Sequence, residues 1–338
     1  MKISFLVTYY NQEAFVRQSL DSILAIEKPG DWEILVGDDG SSDGTVKAVR
    51  EYTEKDPDHI RLYVMPREAG RKYDPVRRAS ENRLNLVDRC TGDCFCTLDG
   101  DDWYFDTAFV REAAEVLEQH PEVTVVSFGY RYALNGELKE EMLLPEDAAG
   151  IVETKRYVRG MYIHSGACVH RMAWPKERTA ELRAFGSYDD NDIVMNGLRY
   201  GKMYQIRRAV YAYRQTEESI YNTMTPAEPA VLNTKGYDLG RMILGAEYTG
   251  ALQDRYSAQL VLMYLHRKDL REILGEDRFA RYVESCRAWK DSVCAGLLRW
   301  KELDGAERKA IRKVILQAAR MQPVRCAKTA ARKLLRKA

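Results

Sequence analysis

Long apolar runs are missing from this 338-residue chain. No stretch of about 18 apolar residues occurs, so the sequence holds no candidate membrane-spanning helix. Cysteine is sparse and unpatterned: seven residues, an odd number, with no C-x-x-C pair. That argues against a disulfide framework or a zinc site and fits a reducing cytoplasm. Cys94 and Cys96 would share one strand face, where core packing is the simple explanation. There is no internal repeat and no low-complexity segment. The opening apolar stretch, Ile3 to Val7, is too short for a signal peptide and reads as a first strand. What is present is charge, unevenly placed. The formal net charge is +1, yet eleven Lys/Arg stand against Glu307 alone from Gly305 onward, which leaves a mildly acidic body and a strongly basic tail.

The first hundred residues alternate strand and helix. Ile3–Val7 is a strand, and Asn11 is expected to cap a helix whose inner face is Val16, Leu20, Ile23 and Leu24. Pro29-Gly30 ends it. Trp32 to Val36 forms a second strand, Asp43 caps a helix through Val46, Val49 and Tyr52, and Ile60 to Met65 is a third strand. A loop from Pro66 to Pro75 leads to a helix carrying Leu84, Leu86 and Val87. Cys94 to Leu98 follows as a fourth, short, apolar and β-prone strand, as expected of one buried on both faces. Such alternation implies right-handed crossovers and a parallel sheet with helices on both faces, whose ligands bind beyond the carboxyl ends of the strands. Further on, Thr107 to Gln119 is helical, Val123 to Tyr132 alternates as an edge or antiparallel strand would, and Asn135-Gly136 is a hairpin turn. Met203 to Tyr213 is strand-like. From Thr225-Pro226 the pattern is helical.

Three polar clusters sit at strand ends: Thr8 to Asn11, Asp38 to Asp43, and Asp99-Gly100-Asp101-Asp102. Any one of them reads most simply as a turn, but three on one sheet edge make a site. Three crowded carboxylates should raise one another's pKa values, a cost that a divalent cation such as Mg²⁺ or Mn²⁺ removes. Asp189-Asp190-Asn191-Asp192 is a second acidic run. On spacing alone it caps the helix Ile193 to Tyr200.

In this order the segments resemble the family 2 glycosyltransferases, which have the GT-A fold. The likeness rests on Ile3 to Glu13, ending in Tyr10-Asn11-Gln12-Glu13, and on Glu33 to Thr45 with its Asp38-Asp39-Gly40-Ser41. It extends to Asn82, Cys90 to Asp93 and the Leu98 to Trp103 stretch, which looks like that of one bacterial branch. It closes on Tyr188-Asp189-Asp190, Gly201-Lys202 and Ala212-Tyr213-Arg214. The likeness covers about residues 1–222. It implies a nucleotide-sugar-binding half over 1–103, an acceptor-binding half over 104–225, and leaves 226–338 as a helical region with the basic tail. Carried over residue by residue, it implies that Thr8, Tyr10, Asp38 or Asp39 and Glu13 hold the nucleotide base, and that Asp99 contacts the ribose. Asp101 would bind Mn²⁺ or Mg²⁺, supported by Asp102, and Asp190 would be the catalytic base. The first motif carries Thr8 where the family has a proline. The acidic pair is Asp189-Asp190 rather than Glu-Asp, which leaves Asp192 as a weaker candidate.

The chemistry asks for such a set. A departing diphosphate gathers charge that a metal offsets, and an acceptor hydroxyl needs a carboxylate to take its proton. Arg77, Arg78 and Arg214 are candidates for phosphate contact, and His164 and Asp189 for the acceptor pocket. The resulting expectation is an inverting, metal-dependent glycosyltransferase, with UDP favoured by the resemblance, acting on a glycan or lipid-linked saccharide in bacterial cell-surface polysaccharide synthesis. A silent nucleotide-sugar-binding scaffold is one alternative, opposed by intact Asp101 and Asp190. A nucleotidyltransferase is another, opposed by the lack of glycine and lysine in Thr8 to Glu13. In the tail, Ile311, Val314, Ile315 and Ala318 share a helical face among basic residues, with Leu334-Leu335 later. That pattern suits contact with an anionic membrane from the cytoplasm, or packing on the domain or a partner. Nucleic acid is not expected, because the tail lacks interleaved aromatics. A homodimer is compatible with all of this.

Overall fold

The computed structural model describes residues 1–68, 70, 73–215, 224–225, 227–289 and 291–335. Pro226 lies outside them, as do the side chains of Leu334 and Leu335. The chain divides into two compact units, one of residues 1–157 and 161–216, the other of 158–160 and 217–338.

The first unit is built on a ten-stranded sheet. Its strands are β1 (Ile3–Tyr9), β2 (Trp32–Asp38), β3 (Ile60–Val64), β4 (Cys94–Asp99), β5 (Trp103–Tyr104), β6 (Val123–Leu134), β7 (Glu137–Met142), β8 (Gly150–Val152), β9 (Cys168–Arg171) and β10 (Lys202–Arg214). The order is β3-β2-β1-β4-β9-β6-β10-β5, with β7 on β6 and β8 on β10. The helices are α1 (Val16–Leu24), α2 (Thr45–Lys55), α3 (Pro75–Val87), α4 (Phe109–Gln119), α5 (Thr154–Gly160), α6 (Glu177–Phe185) and α7 (Asp190–Tyr200). Strands β3, β2, β1 and β4 are parallel neighbours, as the alternation predicts. Beyond β4 the sheet is mixed: β9 runs antiparallel to both β4 and β6, and β6 runs parallel to β10.

Three local expectations meet a definite outcome. Of the two readings of Val123 to Tyr132 the antiparallel one holds, since β6 pairs antiparallel with β7 and β9, but it is an interior strand, not an edge, and its first eight residues are buried. Its polar positions look inward to partners rather than outward to water: Thr124 Oγ1 donates to the Gly197 carbonyl at 2.8 Å, and Ser127 Oγ to Gln205 Oε1 at 2.5 Å. Small hydroxyls satisfied inside a sheet give the same alternation as a solvated face. Asn11 does not cap α1. It takes a left-handed backbone (φ 52°) and its Oδ1 accepts from the Ser42 amide at 2.8 Å, which pins the loop after β1 to the loop after β2. The α1 stripe is buried at Val16, Leu20 and Ile23, but Leu24 is exposed.

The second unit is helical: α8 (Glu228–Leu244), α9 (Thr249–His266), α10 (Leu270–Leu274), α11 (Glu276–Ser285), α12 (Val293–Leu298), α13 (Gly305–Met321) and α14 (Pro323–Leu335). Helix α13 begins in a capping box of Asp304 and Glu307. Its apolar stripe, Ile311, Ile315 and Ala318, is buried, and α13 packs on α9. Of the uses left open for this stripe, packing within the chain is the one it takes, and Lys309, Arg312, Lys313 and Arg320 remain exposed. Among the described residues, no helix is long and apolar enough to cross a membrane.

One core residue gives the first unit an acid-sensitive stability. His170 in β9 is fully buried, stacks on Phe95 at 4.9 Å, and neither ring nitrogen makes a well-formed hydrogen bond among the described residues. Burial pushes its pKa down to about 4. The unfolded chain takes up this proton below about pH 6.5 and the folded chain only below about 4, so stability falls as pH drops through that window and is flat beneath it. The full loss is roughly 3 kcal/mol. His170→Phe keeps the ring and removes the proton site. The gap in melting temperature between pH 7 and pH 4.5 should be smaller in the variant than in the parent; an equal gap would assign the acid sensitivity elsewhere.

Candidate functional site

Parallel pairing puts three strand ends side by side. Thr8 is in register with Asp99 and Tyr9 with Asp38. The turns that follow are tied back to β1: Gly100 N–H donates to the Thr8 carbonyl and Asp39 N–H to the Tyr9 carbonyl, both at 2.9 Å. Gly100 must be glycine, because a Cβ there would collide with the Tyr9 ring.

The carboxylates of the cluster after β2 already have partners within the protein. Asp38 is fully buried, and its carboxylate accepts from the Ser41 amide at 2.8 Å and the Ser41 hydroxyl at 2.5 Å. Asp39 is gripped by two guanidinium groups, Arg67 Nη2 at 2.5 Å and Arg78 Nε at 2.5 Å. Arg67 also lies over the exposed Tyr10 ring at 4.0 Å, an arrangement that holds the ring as a flat surface beside Asp39. Glu13 accepts from the Gly44 amide at 3.0 Å and so staples the two loops together. Arg78 thus belongs to this cluster, whereas Arg77 is exposed on the outer face of α3.

The acidic turn after β4 divides its carboxylates by environment. Both oxygens of Asp99 accept from Arg83 Nη2, at 2.7 and 2.9 Å, and Thr8 Oγ1 donates to it at 3.1 Å. Burial alone would raise the Asp99 pKa, but the Arg83 charge reverses this and holds it below the usual carboxylate range. Asp102 is buried, with the Tyr211 hydroxyl on one oxygen and the Arg214 amide on the other at 2.7 Å. Its pKa is pushed well up by burial and then by Asp101 and Asp99. Asp101, between them, is also raised, by burial and then by Asp99. Arg214 turns its guanidinium to the Asp101 carbonyl at 2.6 Å and to Gln18 Oε1 at 2.5 Å, over the rings of Phe15 and Trp103. In this arrangement it braces the turn.

The second acidic run is divided as cleanly. Asp189 is the N-cap of α7 and forms a reciprocal capping box with Asp192. Both are thereby occupied. Asp190, the next residue, faces away from the cap: Ser165 Oγ donates to its Oδ1 at 2.5 Å, and His164 Nε2 lies 3.5 Å from its Oδ2. His164 is buried against Tyr211 and Tyr213. Its Nδ1 accepts from the Gly166 amide at 3.2 Å, which leaves the proton of the neutral ring on Nε2, facing Asp190. Ligand atoms of Asp99, Asp102 and His164 all lie within 4.8 Å of one another, a possible grouping for a metal ion. The structure therefore brings Thr8, Asp99, Asp102, His164 and Asp190 into one neighbourhood.

Sequence reading missed Arg83, the cation most embedded in this site. Burial pulls its pKa down, but Asp99, then Asp190 and Asp189, more than offset that and raise it. A signal was there: Arg83 lies three residues after Ser80 and four before Val87, both buried, and a cation on the inner face of a helix needs a carboxylate. Tyr211 and Arg67 left no comparable trace.

The comparisons with known proteins agree with this geometry. Among curated relatives, the protein Rv1520 of Mycobacterium tuberculosis is 23% identical over 162 residues, 48% of this chain and 44% of that one. The putative glycosyltransferase EpsE of Bacillus subtilis is 29% identical over 128 residues, 38% of this chain and 42% of that one. The chain thus matches less than half the length of these relatives. The crystal structure of S. aureus TarS 1–349 in complex with UDP-GlcNAc shares the fold, with a TM-score of 0.57 at 16% identity, over 95% of this chain and 93% of that one. The family model described as glycosyl transferase family 2 matches residues 4–174, just over half of the sequence, and the chain belongs to that family.

Proposed function

We propose that this chain is an inverting, metal-dependent glycosyltransferase that moves a sugar from a nucleotide-diphosphate donor, with uridine as the base, to a hydroxyl of a glycan or lipid-linked saccharide. Its setting in this reading is bacterial cell-surface polysaccharide synthesis in the cytoplasm. The observation that carries it is the division of labour in the second acidic run. Asp189 and Asp192 hold the helix end, which frees Asp190 to stand on Ser165 and His164, on a segment separate from the Asp99 to Asp102 turn. A base for the acceptor and a carboxylate cluster for the donor are what one displacement at an anomeric carbon requires. The fold it shares with TarS, a protein solved with UDP and with UDP-GlcNAc, favours a uridine nucleotide.

The donor set fits a hard divalent cation. Asp99 has Arg83 as counter-charge, while Asp102, on Tyr211 and the Arg214 amide, and Asp101 both have their pKa values raised, by burial first and then by neighbouring carboxylates. Asp101 would hold Mn²⁺ or Mg²⁺ with Asp102 in support, and Asp99 and His164 are at hand. Such an ion, when bound, offsets the charge that gathers on the departing diphosphate. The chain's own groups do the rest. Thr8, Tyr10, Asp38 or Asp39 and Glu13 would hold the nucleotide base, Asp99 would contact the ribose, and Asp190 would take the acceptor proton while Ser165 and His164 hold its carboxylate. Residues 1–103 would form the donor half, 104–225 the acceptor half and 226–338 the helical extension. Any contact with an anionic membrane runs through exposed cations of that extension, since the apolar face of α13 is buried.

Two measurements test this reading. UDP-, GDP-, CDP- and dTDP-sugars are screened by thermal shift with and without Mn²⁺. A metal-dependent rise with the uridine nucleotide, absent in Asp101→Ala, is expected; no rise with any nucleotide would remove the donor site. The second separates Asp190 from its neighbour. Asp190→Asn should keep donor binding and stability while transfer falls by about 10²–10⁴-fold. Asp189→Ala should lose ~1 kcal/mol of stability as a cap. Full activity in Asp190→Asn would point to another base, whereas donor binding with no transfer in the parent would point to a silent nucleotide-sugar-binding protein.

A further inference from the structure

The second unit carries a cationic cleft for which the transferase chemistry has no use. It lies where α10 and the turn before it meet the end of α12, and it encloses a space of about 80 Å³, several times what one water needs. Its floor is apolar, with Leu270, Phe279 and Leu298 all buried. Its walls are Arg267, Lys268, Arg271, Arg299 and Lys301 against a single lining carboxylate, Glu302.

Several of these cations are held in place by groups that do not cancel their charge. The Arg267 guanidinium lies 3.9 Å from the Tyr264 ring centroid and 5.0 Å from that of Trp300. It donates through Nη1 to the Tyr264 carbonyl at 2.6 Å, and its buried Nε has no hydrogen-bond partner among the described residues. Beside the cleft, Arg308 donates to the carbonyls of Trp300 at 3.3 Å and Lys301 at 3.1 Å. Arg271 sits over Phe279 at 4.9 Å and has an exposed partner in Glu276 at 3.0 Å. Among the described residues, Arg267, Lys268, Arg299 and Lys301 have no carboxylate at ion-pair distance. Rings and carbonyls fix a guanidinium without neutralising it, so the field of the cluster stays directed into the cleft.

We infer that this cleft binds a phosphate-bearing ligand. Planar guanidinium groups and flexible ammonium groups converging on a small space match the oxygens of a phosphate, and the apolar floor admits the carbon to which it is esterified. The same chemistry is offered by a soluble phosphate ester and by an anionic lipid headgroup. Neither source depends on the transferase reading, and the donor site is monitored separately.

The full-length chain, with excess UDP present, is titrated with inorganic pyrophosphate by calorimetry. It is also sedimented with vesicles of equal parts phosphatidylcholine and phosphatidylglycerol. Two charge-reversed variants are compared: Arg299→Glu with Lys301→Glu at the cleft, and Lys309→Glu with Lys313→Glu on the exposed face of α13. Pyrophosphate affinity should fall about tenfold or more in the cleft variant and change by less than about twofold in the α13 variant. Vesicle binding lost in the same pattern would identify a lipid headgroup; pyrophosphate binding without vesicle binding would identify a soluble ester. Equal losses in both variants would mean diffuse attraction and would overturn the site, as would no binding of either probe. The UDP thermal shift should be the same in both variants and the parent.

Discussion

Like charge gathered in a small volume is the constraint from which the rest of this structure follows. Asp99, Asp101, Asp102, Asp189 and Asp190 come together from two distant parts of the chain, and a single guanidinium, Arg83, feels three of them at once. Without it, Asp99 would share the fate of Asp102, whose pKa climbs with burial. With it, the Asp99 pKa is held down instead. The protein thus keeps neighbouring acids in different protonation tendencies by giving each a different partner: a cation for Asp99, a phenol and an amide for Asp102, a capping box for Asp189.

That allocation explains why the site needs elements from so far apart. Arg83 comes from α3, Tyr211 and Arg214 from β10, Ser165 and His164 from the turn before β9. Each is set by packing that has nothing to do with chemistry: α3 by its buried face, β10 by its pairing with β6, His164 by the rings of Tyr211 and Tyr213. A rigid sheet then transfers its own precision to the side chains at its edge.

Much of this was legible in the sequence, and what was not failed for identifiable reasons. Strands β1 to β4 were readable because buried parallel strands are continuous apolar runs and their crossovers leave helical periods between them. The clusters at Thr8, Asp38 and Asp99 could be placed on one edge because parallel strands carry their carboxyl ends to the same side. Beyond β4 the rules weaken. The inner position of β6 was hidden by Thr124 and Ser127, whose hydroxyls find partners inside the sheet. Asp189 and Asp190 could not be told apart by spacing, since adjacent residues at a helix start differ only in direction, which the backbone decides. The apolar stripe of α13 had two possible uses, and only the presence of α9 shows which was taken.

The bonds from Asp102 to Tyr211 and Arg214 join points more than a hundred residues apart, and the intervening chain includes the β6–β7 hairpin. Its tip, Asn135-Gly136, is exposed, and a Cβ at Gly136 would meet nothing. Continuity of the polypeptide at that tip is therefore not what keeps the two sides of the sheet together. The backbone could be cut at that tip without separating these pieces, because the carboxylate network and the strand pairing, rather than the hairpin, define which parts of this unit are neighbours.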